Sequence, residues 1–475
     1  MNTLKKVSLL LLLVIACSCS NNKKEQNLLW ISSDKDIQWQ IDTLKITKEN
    51  SDNNSVITIF PDSSLQTIDG FGASFNELGW EALNVLPDEM QQQVLYSLFD
   101  TINGCGFNLC RMPIGANDYA VNWYSHNETH GDFAMENFSI DRDFQRLIPY
   151  IKSAKSINPD LKIWASPWCP PSWMKKNNHY ACKSDSVNDL SHEKQGNDTA
   201  TQFILEVEYL NAYALYFSKF IDEYKKAGID VYAVHVQNEP YACQNFPSCV
   251  WKPYDLVRFI GDYLGPKFQK DNRETEIWLG TINNDDSQNM ETMLQYERAQ
   301  KYITGIGFQW AGKGAISYVN NNYPQYKLMQ TESECGDGSN DWEAAEYTFS
   351  LMRHYFANGA NSYLYWNMIL DETGKSQWGW KQNSMISIDS LTKGISYNPE
   401  FYLLKHFSSY IKPGATYLKT SNENCLAFKS AKKYVIFYYN NQQHMEIKEF
   451  KIGNMIFKAE MEGRSFNTFI HRIQI

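Results

Sequence analysis

The sequence predicts an α/β protein: a (β/α)₈ barrel of the TIM type with a side β-sandwich domain built from both chain flanks. Two observations predict it. From about residue 66 to 412, short apolar strand-like runs alternate with amphipathic helical stretches, and eight such units suggest a closed barrel. On either side, residues 28–65 and 413–475 show strand-like patterning without long helices, and neither flank is long enough to make a stable sheet alone.

Taken in chain order, residues 1–19 read as a leader. Lys5 and Lys6 form a short basic region, and Val7 to Ala16 is apolar apart from Ser8. That run is too short to span a bilayer, which needs about 20 apolar residues, and it fits the core of a secretory signal. Val14-Ile15-Ala16-Cys17 resembles a bacterial lipobox, with Cys17 as the lipidated residue and Cys19 as a weaker second choice. The alternative is a plain cleaved signal peptide. Residues 20–27 read as a tether, 28–65 as the N-terminal strands of the sandwich, 66–412 as the barrel and 413–475 as the C-terminal sandwich strands.

Within the barrel the candidate strands are Gln66–Phe75, Gly106–Ile114, Leu161–Trp168, Asp230–Asn238, Glu276–Thr281, Gly305–Trp310, Tyr326–Glu332 and Asn361–Asn367. Candidate helices include Pro87–Phe99, Asp141–Ser156, Glu206–Ala227, Pro253–Gln269 and Trp342–Asn358. Pro87-Asp88-Glu89 puts Pro and acids in a first turn, and Ala227-Gly228 is a helix stop. In the last segment, Val435 to Tyr439 followed by Asn440-Asn441 reads as a strand running into a turn, and Phe450 to Phe457 continues in the same manner.

Composition excludes several classes of function. The formal charge is −10 and no block of basic residues occurs, which argues against nucleic acid as a partner. The 14 Trp and 29 Tyr favour a carbohydrate protein only weakly, because aromatic rings also fill cores. No Cys/His cluster has zinc spacing, and neither His-Glu-x-x-His nor a Walker A loop is present, so no metal and no cofactor is expected. Of the ten Cys, Cys105/Cys110 and Cys243/Cys249 are close in sequence. They are either bridged or buried free thiols. A pairing of Cys243 with Cys249 would make a rigid polar rim of the loop Tyr241 to Trp251.

Barrel enzymes place catalytic groups where strands end. One strand leads into Asn238-Glu239-Pro240, where Pro240 cannot donate to a ladder and so leaves Glu239 at the barrel mouth. Another ends at Thr331-Glu332. Hydrolysis of a β-glycosidic bond usually needs two such carboxyls, one to protonate the leaving oxygen and one to attack or to activate water. Their separation decides between retention and inversion, and spacing along the chain does not reveal it. Glu334 shares strand parity with Glu332 and is the alternative candidate.

The ordered set Asp69-Gly70-Phe71-Gly72-Ala73, Ala165-Ser166-Pro167-Trp168, Gln237-Asn238-Glu239-Pro240 and Thr331-Glu332 resembles glycoside hydrolase family 30, the family of glucosylceramidases and β-1,6-glucanases. The similarity runs over roughly residues 60–475. It implies a retaining, double-displacement mechanism with Glu239 as acid/base and Glu332 as nucleophile. It also implies that Arg111 orients the nucleophile and that Asp118 and Trp168 bind sugar hydroxyls. Asn238 would bond the sugar 2-hydroxyl, and Trp310 and Trp366 would wall the site. Where the family often has His-Trp-Tyr, this chain has Gln309-Trp310-Ala311, so the hydrogen bonding there should differ.

The expected partner is a β-linked glucan oligosaccharide or polysaccharide. Contact with a membrane is expected only through the N-terminal lipid anchor, on a bacterial membrane at the periplasmic face or the cell surface, and the chain is expected to be a monomer. Glucosylceramidase, β-xylosidase or xylanase activity within the same family, an inverting hydrolase, and a non-catalytic glycan-binding surface lipoprotein are the competing readings.

Overall fold

The computed structural model describes residues 27–46 and 56–473. The leader, Cys17, Cys19 and most of the tether lie outside the described residues.

Eight parallel strands close into a barrel. They are β1 (Gly70–Ser74), β2 (Leu109–Pro113), β3 (Lys162–Ser166), β4 (Val231–His235), β5 (Glu276–Ile282), β6 (Ile303–Gln309), β7 (Lys327–Glu332) and β8 (Ser362–Asn367). Each falls within or beside one of the eight runs read from sequence. They read as continuous apolar runs because both of their faces are covered, one by the barrel interior and one by helices. The interior is filled by Leu109, Trp164, Ala233, Trp278, Met329 and Leu364. The barrel is therefore a packed core and not a pore.

Two strand ends differ from the expectation. The residues Gln66 and Thr67 belong to a long strand of the side domain, Val56–Thr67, and the barrel begins only at Gly70. The ladder of β4 stops at His235, before Pro240 is reached. Beyond it the chain stays extended on other partners: the Gln237 amide donates to Gly280 O at 3.0 Å, and the Asn238 amide to Pro167 O at 2.8 Å.

The predicted helices appear at Asp88–Phe99, Leu147–Ile157, Val207–Lys226 and Trp342–Ala357. The segment Pro253–Gln269 is a helix with a π-helical turn at Ile260–Leu264. A three-stranded sheet of Ile369–Asp371, Ile386–Ile388 and Ile395–Tyr397 was not foreseen. It grows from the end of β8 and holds the loop that carries Trp378 and Trp380.

Both flanks enter one nine-stranded sheet beside the barrel. The N-terminal strand Asn27–Ser33 pairs antiparallel with Ser465–Arg472, and Val56–Thr67 pairs with Thr416–Thr420 and with Glu446–Ile452. The segment Phe450 to Phe457 is a hairpin joining Glu446–Ile452 to Met455–Met461. The sheet curls until its two edges, Gln40–Lys45 and Met455–Met461, lie side by side. One face closes on itself around Phe450, Phe457 and Phe469, whose ring centroids are 4.9–5.1 Å apart. The other face packs on the barrel. In Lys433–Asn440, Ile436 and Tyr438 point into the sheet's own core while Val435 and Phe437 join the barrel core. Phe437 meets Phe407 of the helix Pro399–Ser408 at 4.4 Å.

Candidate active site

The C-terminal ends of the barrel strands converge on a cavity of about 240 Å³ lined by Asp118, Trp168, Asn238, Glu239, Trp310 and Glu332. The wall is completed by Ala242, Gln244, Phe246, Asn283, Trp380 and Gln382. Of the expected residues, six line this cavity. Arg111 and Trp366 stand behind its wall.

Glu332 ends β7 at a register shift. Gln330 pairs with Phe308, and Glu332, two residues on, pairs with Gln309. The extra residue, Thr331, is a bulge, a common means of re-aiming a side chain at a barrel rim. Glu332 thus meets Arg111, whose Nη1 donates to Oε2 at 2.7 Å. Its other oxygen, Oε1, accepts from Trp310 Nε1 at 3.1 Å. Trp310 was expected to offer its ring to a sugar. Its N–H is instead committed to the carboxylate, and only its face remains for a ligand.

Arg111 is fully buried. Its Nη2 also donates to Asn238 Oδ1 at 2.6 Å, and both Nε and Nη2 donate to Ser166 Oγ. Its guanidinium carbon lies 4.2 Å from the Trp168 ring centre and 5.3 Å from that of Trp366. A buried cation needs such a partner: removing one member of a buried ion pair costs about 3–5 kcal/mol. Trp366 is fully buried and stacks behind Trp168 at 5.4 Å.

Glu239 has a different environment. Its backbone is left-handed, with φ at 46°, as is that of Trp310 at 48°. Such non-glycine residues cluster where the surroundings over-determine the backbone, often at functional sites. The Gln309 Nε2 group donates to Glu239 Oε1 at 3.3 Å. Gln309 is oriented by Thr331, whose hydroxyl donates to Gln309 Oε1 at 2.9 Å, so the amide nitrogen is aimed at Asn238 and Glu239. The same side chain also helps hold down the pKa of Glu332. One amide therefore bonds both Asn238 and the acid/base candidate Glu239. This is the local rearrangement that the departure Gln309-Trp310-Ala311 foreshadowed.

These surroundings separate the two glutamates. Burial, with the charge of Glu332 added, pushes Glu239 up to about 8. Burial raises Glu332 as well, but Arg111, the Trp310 N–H and Gln309 all oppose it. Among the described residues, Arg111 is the one cation bonded directly to either carboxyl, and it is bonded to Glu332. Near neutral pH the site thus holds Glu239 protonated and Glu332 ionised, which is how environment assigns different roles to two carboxyls.

Asp118 is buried, and burial together with both glutamates pushes its carboxyl well up. Its Oδ1 has no hydrogen-bond partner among the described residues, and a buried orphan polar atom facing a cavity is suited to a ligand hydroxyl. Asn238 Oδ1 accepts from Arg111, Thr281 and Gln309, which leaves its NH₂ group for a ligand. Glu334 is bound up elsewhere: Lys313 Nζ and the Tyr347 hydroxyl both donate to it at 2.6 Å.

Sequence reasoning named Ser166 and Gln309 only as parts of motifs and missed Thr281, Gln244, Phe246, Trp380 and Gln382. The last two come from the loop after β8, and nothing in their local pattern points to a cavity formed by distant strands.

The family model "Glycosyl hydrolase family 30 TIM-barrel domain" matches residues 68–411. The chain belongs to glycosyl hydrolase family 30. It is 29% identical over 381 residues to "Putative glucosylceramidase 1" of Caenorhabditis elegans, covering 76% of this chain and 69% of that protein. It is 27% identical over 368 residues to "Endo-1,6-beta-D-glucanase neg1" of Aspergillus fumigatus, covering 75% and 72%. The solved structure of SrfJ from Salmonella typhimurium superposes with a TM-score of 0.85 at 25% identity, over 94% of this chain and 100% of that one. As a family 30 member the chain is a retaining β-glycoside hydrolase, with the family's barrel and its side β-domain.

Proposed function

We propose that this family 30 enzyme cleaves β-1,6-linked glucan or its oligosaccharides, with Glu239 as general acid/base and Glu332 as nucleophile. The observation that carries the residue roles is the asymmetry of the pair: Arg111 and Trp310 bond Glu332, while Glu239 has an amide and a dry surround. In the first step Glu332 attacks the anomeric carbon as Glu239 gives its proton to the leaving oxygen. In the second, Glu239 as carboxylate takes a proton from water, which attacks the same carbon and releases Glu332. Asp118 and the Asn238 amide hold hydroxyls of the sugar being cleaved, and Trp168 stacks against its ring.

The outer wall supports a sugar on the leaving side. Gln244, Asn283 and Gln382 supply amides, and the Phe246 and Trp380 rings, 5.8 Å apart, supply apolar faces. Amides interleaved with aromatic faces suit a second sugar ring. A ceramide would need a broad apolar surface. The polar part of this rim does not depend on a bridge between Cys243 and Cys249, since both are free thiols. A panel of β-1,6-glucan, β-1,3-glucan, xylan, an aryl β-glucoside and glucosylceramide, read by product chromatography, tests this reading. The expected result is the highest kcat/KM on β-1,6-glucan. A clear preference for glucosylceramide or xylan overturns the substrate and leaves the catalytic pair standing.

We also infer that the protein is exported as a monomer and held to a bacterial membrane by lipid on Cys17. The basic residues, short apolar run and Ile15-Ala16-Cys17 support this, and no helix of the described residues is long and apolar enough to cross a membrane. Changing Cys17 and Cys19 together to Ser should move the protein from the membrane fraction to the soluble fraction. A wild-type mature form with neither Cys at its N-terminus overturns the anchor.

A further inference from the structure

Two of the loops at the barrel mouth meet through cysteine. The loop after β3 carries Cys182, and the loop after β4 carries Cys243, one residue before Gln244. Their backbones run together like a short pair of strands. The amides of Cys182 and Lys183 donate to Gln244 O at 2.9 and 2.8 Å, Ser248 N donates to Tyr180 O at 3.1 Å, and Ala181 bridges Pro247. These bonds set the Cys182 backbone against Gln244, the residue next to Cys243. Each thiol is the largest influence on the other's ionisation, so the two side chains are neighbours. Cys182 is buried and Cys243 is half-buried, so Cys243 is the more accessible residue of the pair.

The surroundings divide the work between the two sulfurs. Lys175 is fully buried beside Cys182, and its Nζ donates to the carbonyls of Tyr180, Ala181 and Ser248. The neighbouring Cys243 and the Lys175 charge bring the Cys182 thiol down. The Cys182 thiol, which donates to Ser248 O at 3.3 Å, is the more readily ionised of the two. The neighbouring Cys169 and Cys249 are buried, their thiols face the carbonyls of Pro170 and Val250, and burial pushes both up. A buried ammonium at the centre of these sulfurs also disfavours a cation there, and no group of residues suited to hold a metal ion occurs among the described residues.

We propose that Cys182 and Cys243 are a cross-linking site, a dithiol that closes to a disulfide when a small-molecule or protein disulfide is the oxidant. Cys243 first gives up its proton, and its thiolate attacks the oxidant's S–S bond, forms a mixed disulfide and expels one thiolate, which takes up that proton. The Cys182 thiolate then attacks the Cys243 sulfur and expels the second thiolate. The two cysteines lose two electrons, and the oxidant becomes two thiols. The link would tie the residue next to Gln244 to the loop after β3. Gln244 lines the catalytic cavity with Glu239, so closure of the pair stiffens the leaving-side wall.

The test exposes the intact protein to oxidised glutathione, blocks remaining thiols under denaturing conditions, and maps disulfides by mass spectrometry of unreduced peptides. A peptide pair joining Cys182 to Cys243 is expected, with two fewer blockable thiols and a melting temperature that falls on reduction. Cys182→Ser should leave Cys243 as a stable mixed disulfide with glutathione, and Cys243→Ser, at the more exposed position, should abolish the link without loss of fold. Three results would each overturn the proposal: Cys243 joined to Cys249, all thiols still blockable, or wild-type Cys243 held only as the mixed disulfide. None of these readouts depends on which glycoside is cleaved.

Discussion

Glu332→Gln lowers kcat on β-glycosides by a factor on the order of 10⁴–10⁶, the size of loss seen when an enzyme nucleophile is removed. The amide keeps the shape of the side chain and its contact with Trp310, but it cannot form the covalent intermediate. The change also leaves Arg111 without its ionised partner, so thermal unfolding should accompany the kinetics. A drop in melting temperature with the fold retained assigns the loss to chemistry. Glu332→Gly opens a space in which azide replaces the carboxylate, and an activated aryl β-glycoside should then yield an α-glycosyl azide. Glu334→Gln removes an ion pair with Lys313 and a bond from Tyr347, both at the rim, and should leave turnover near normal. If Glu332→Gln turns over normally while Glu334→Gln does not, the nucleophile is misassigned.

Glu239→Ala should separate substrates by leaving group. Hydrolysis of glucan, whose leaving alkoxide needs a proton, falls by about 10²–10⁴, the usual worth of general acid–base catalysis. An activated aryl glycoside still forms the covalent intermediate and then stalls. Azide should relieve the stall and give a β-glycosyl azide, because it enters from the face that Glu239 serves. The pH profile follows from the same carboxyl. Glu239 acts as acid only when protonated, and burial holds it at about 8. Activity on glucan is therefore sustained below that value and lost as pH rises through it. In Glu239→Gln this alkaline limb should disappear from whatever activity remains. An unchanged limb in the variant would move the acid role to another group, with Asp118 the first to examine.

The parts of this site that were legible in the sequence lie at the ends of patterned elements. Glu239 and Glu332 each follow an apolar run that stops at a recognisable signal, Asn238-Glu239-Pro240 in one case and Thr331-Glu332 before Cys335-Gly336 in the other. Gln309 could be seen to depart from its family but not what it does, because its role comes from Thr331 on the next strand. Trp380 and Gln382 were invisible for a similar reason. They belong to a loop whose position depends on three short strands, each of only three residues, too short to show a period.

Alternation of apolar runs with helical stretches was enough to determine the barrel, since a parallel strand covered on both faces is apolar throughout and its crossover helix is not. The same logic marked Val435 to Tyr439 as a strand, for Ile436 and Phe437 are both buried, on opposite sides of one sheet. What tertiary structure alone decided is pairing at a distance. It brought residues 27–45 and 56–67 against 416–472 as one sheet, and it set the Cys182 backbone against Gln244, beside Cys243. It also placed Arg111 between Glu332 and Asn238. These choices depend on the register of strands far apart in the chain, and register is set by the packing of whole faces and the closure of the barrel, which no local run of residues encodes.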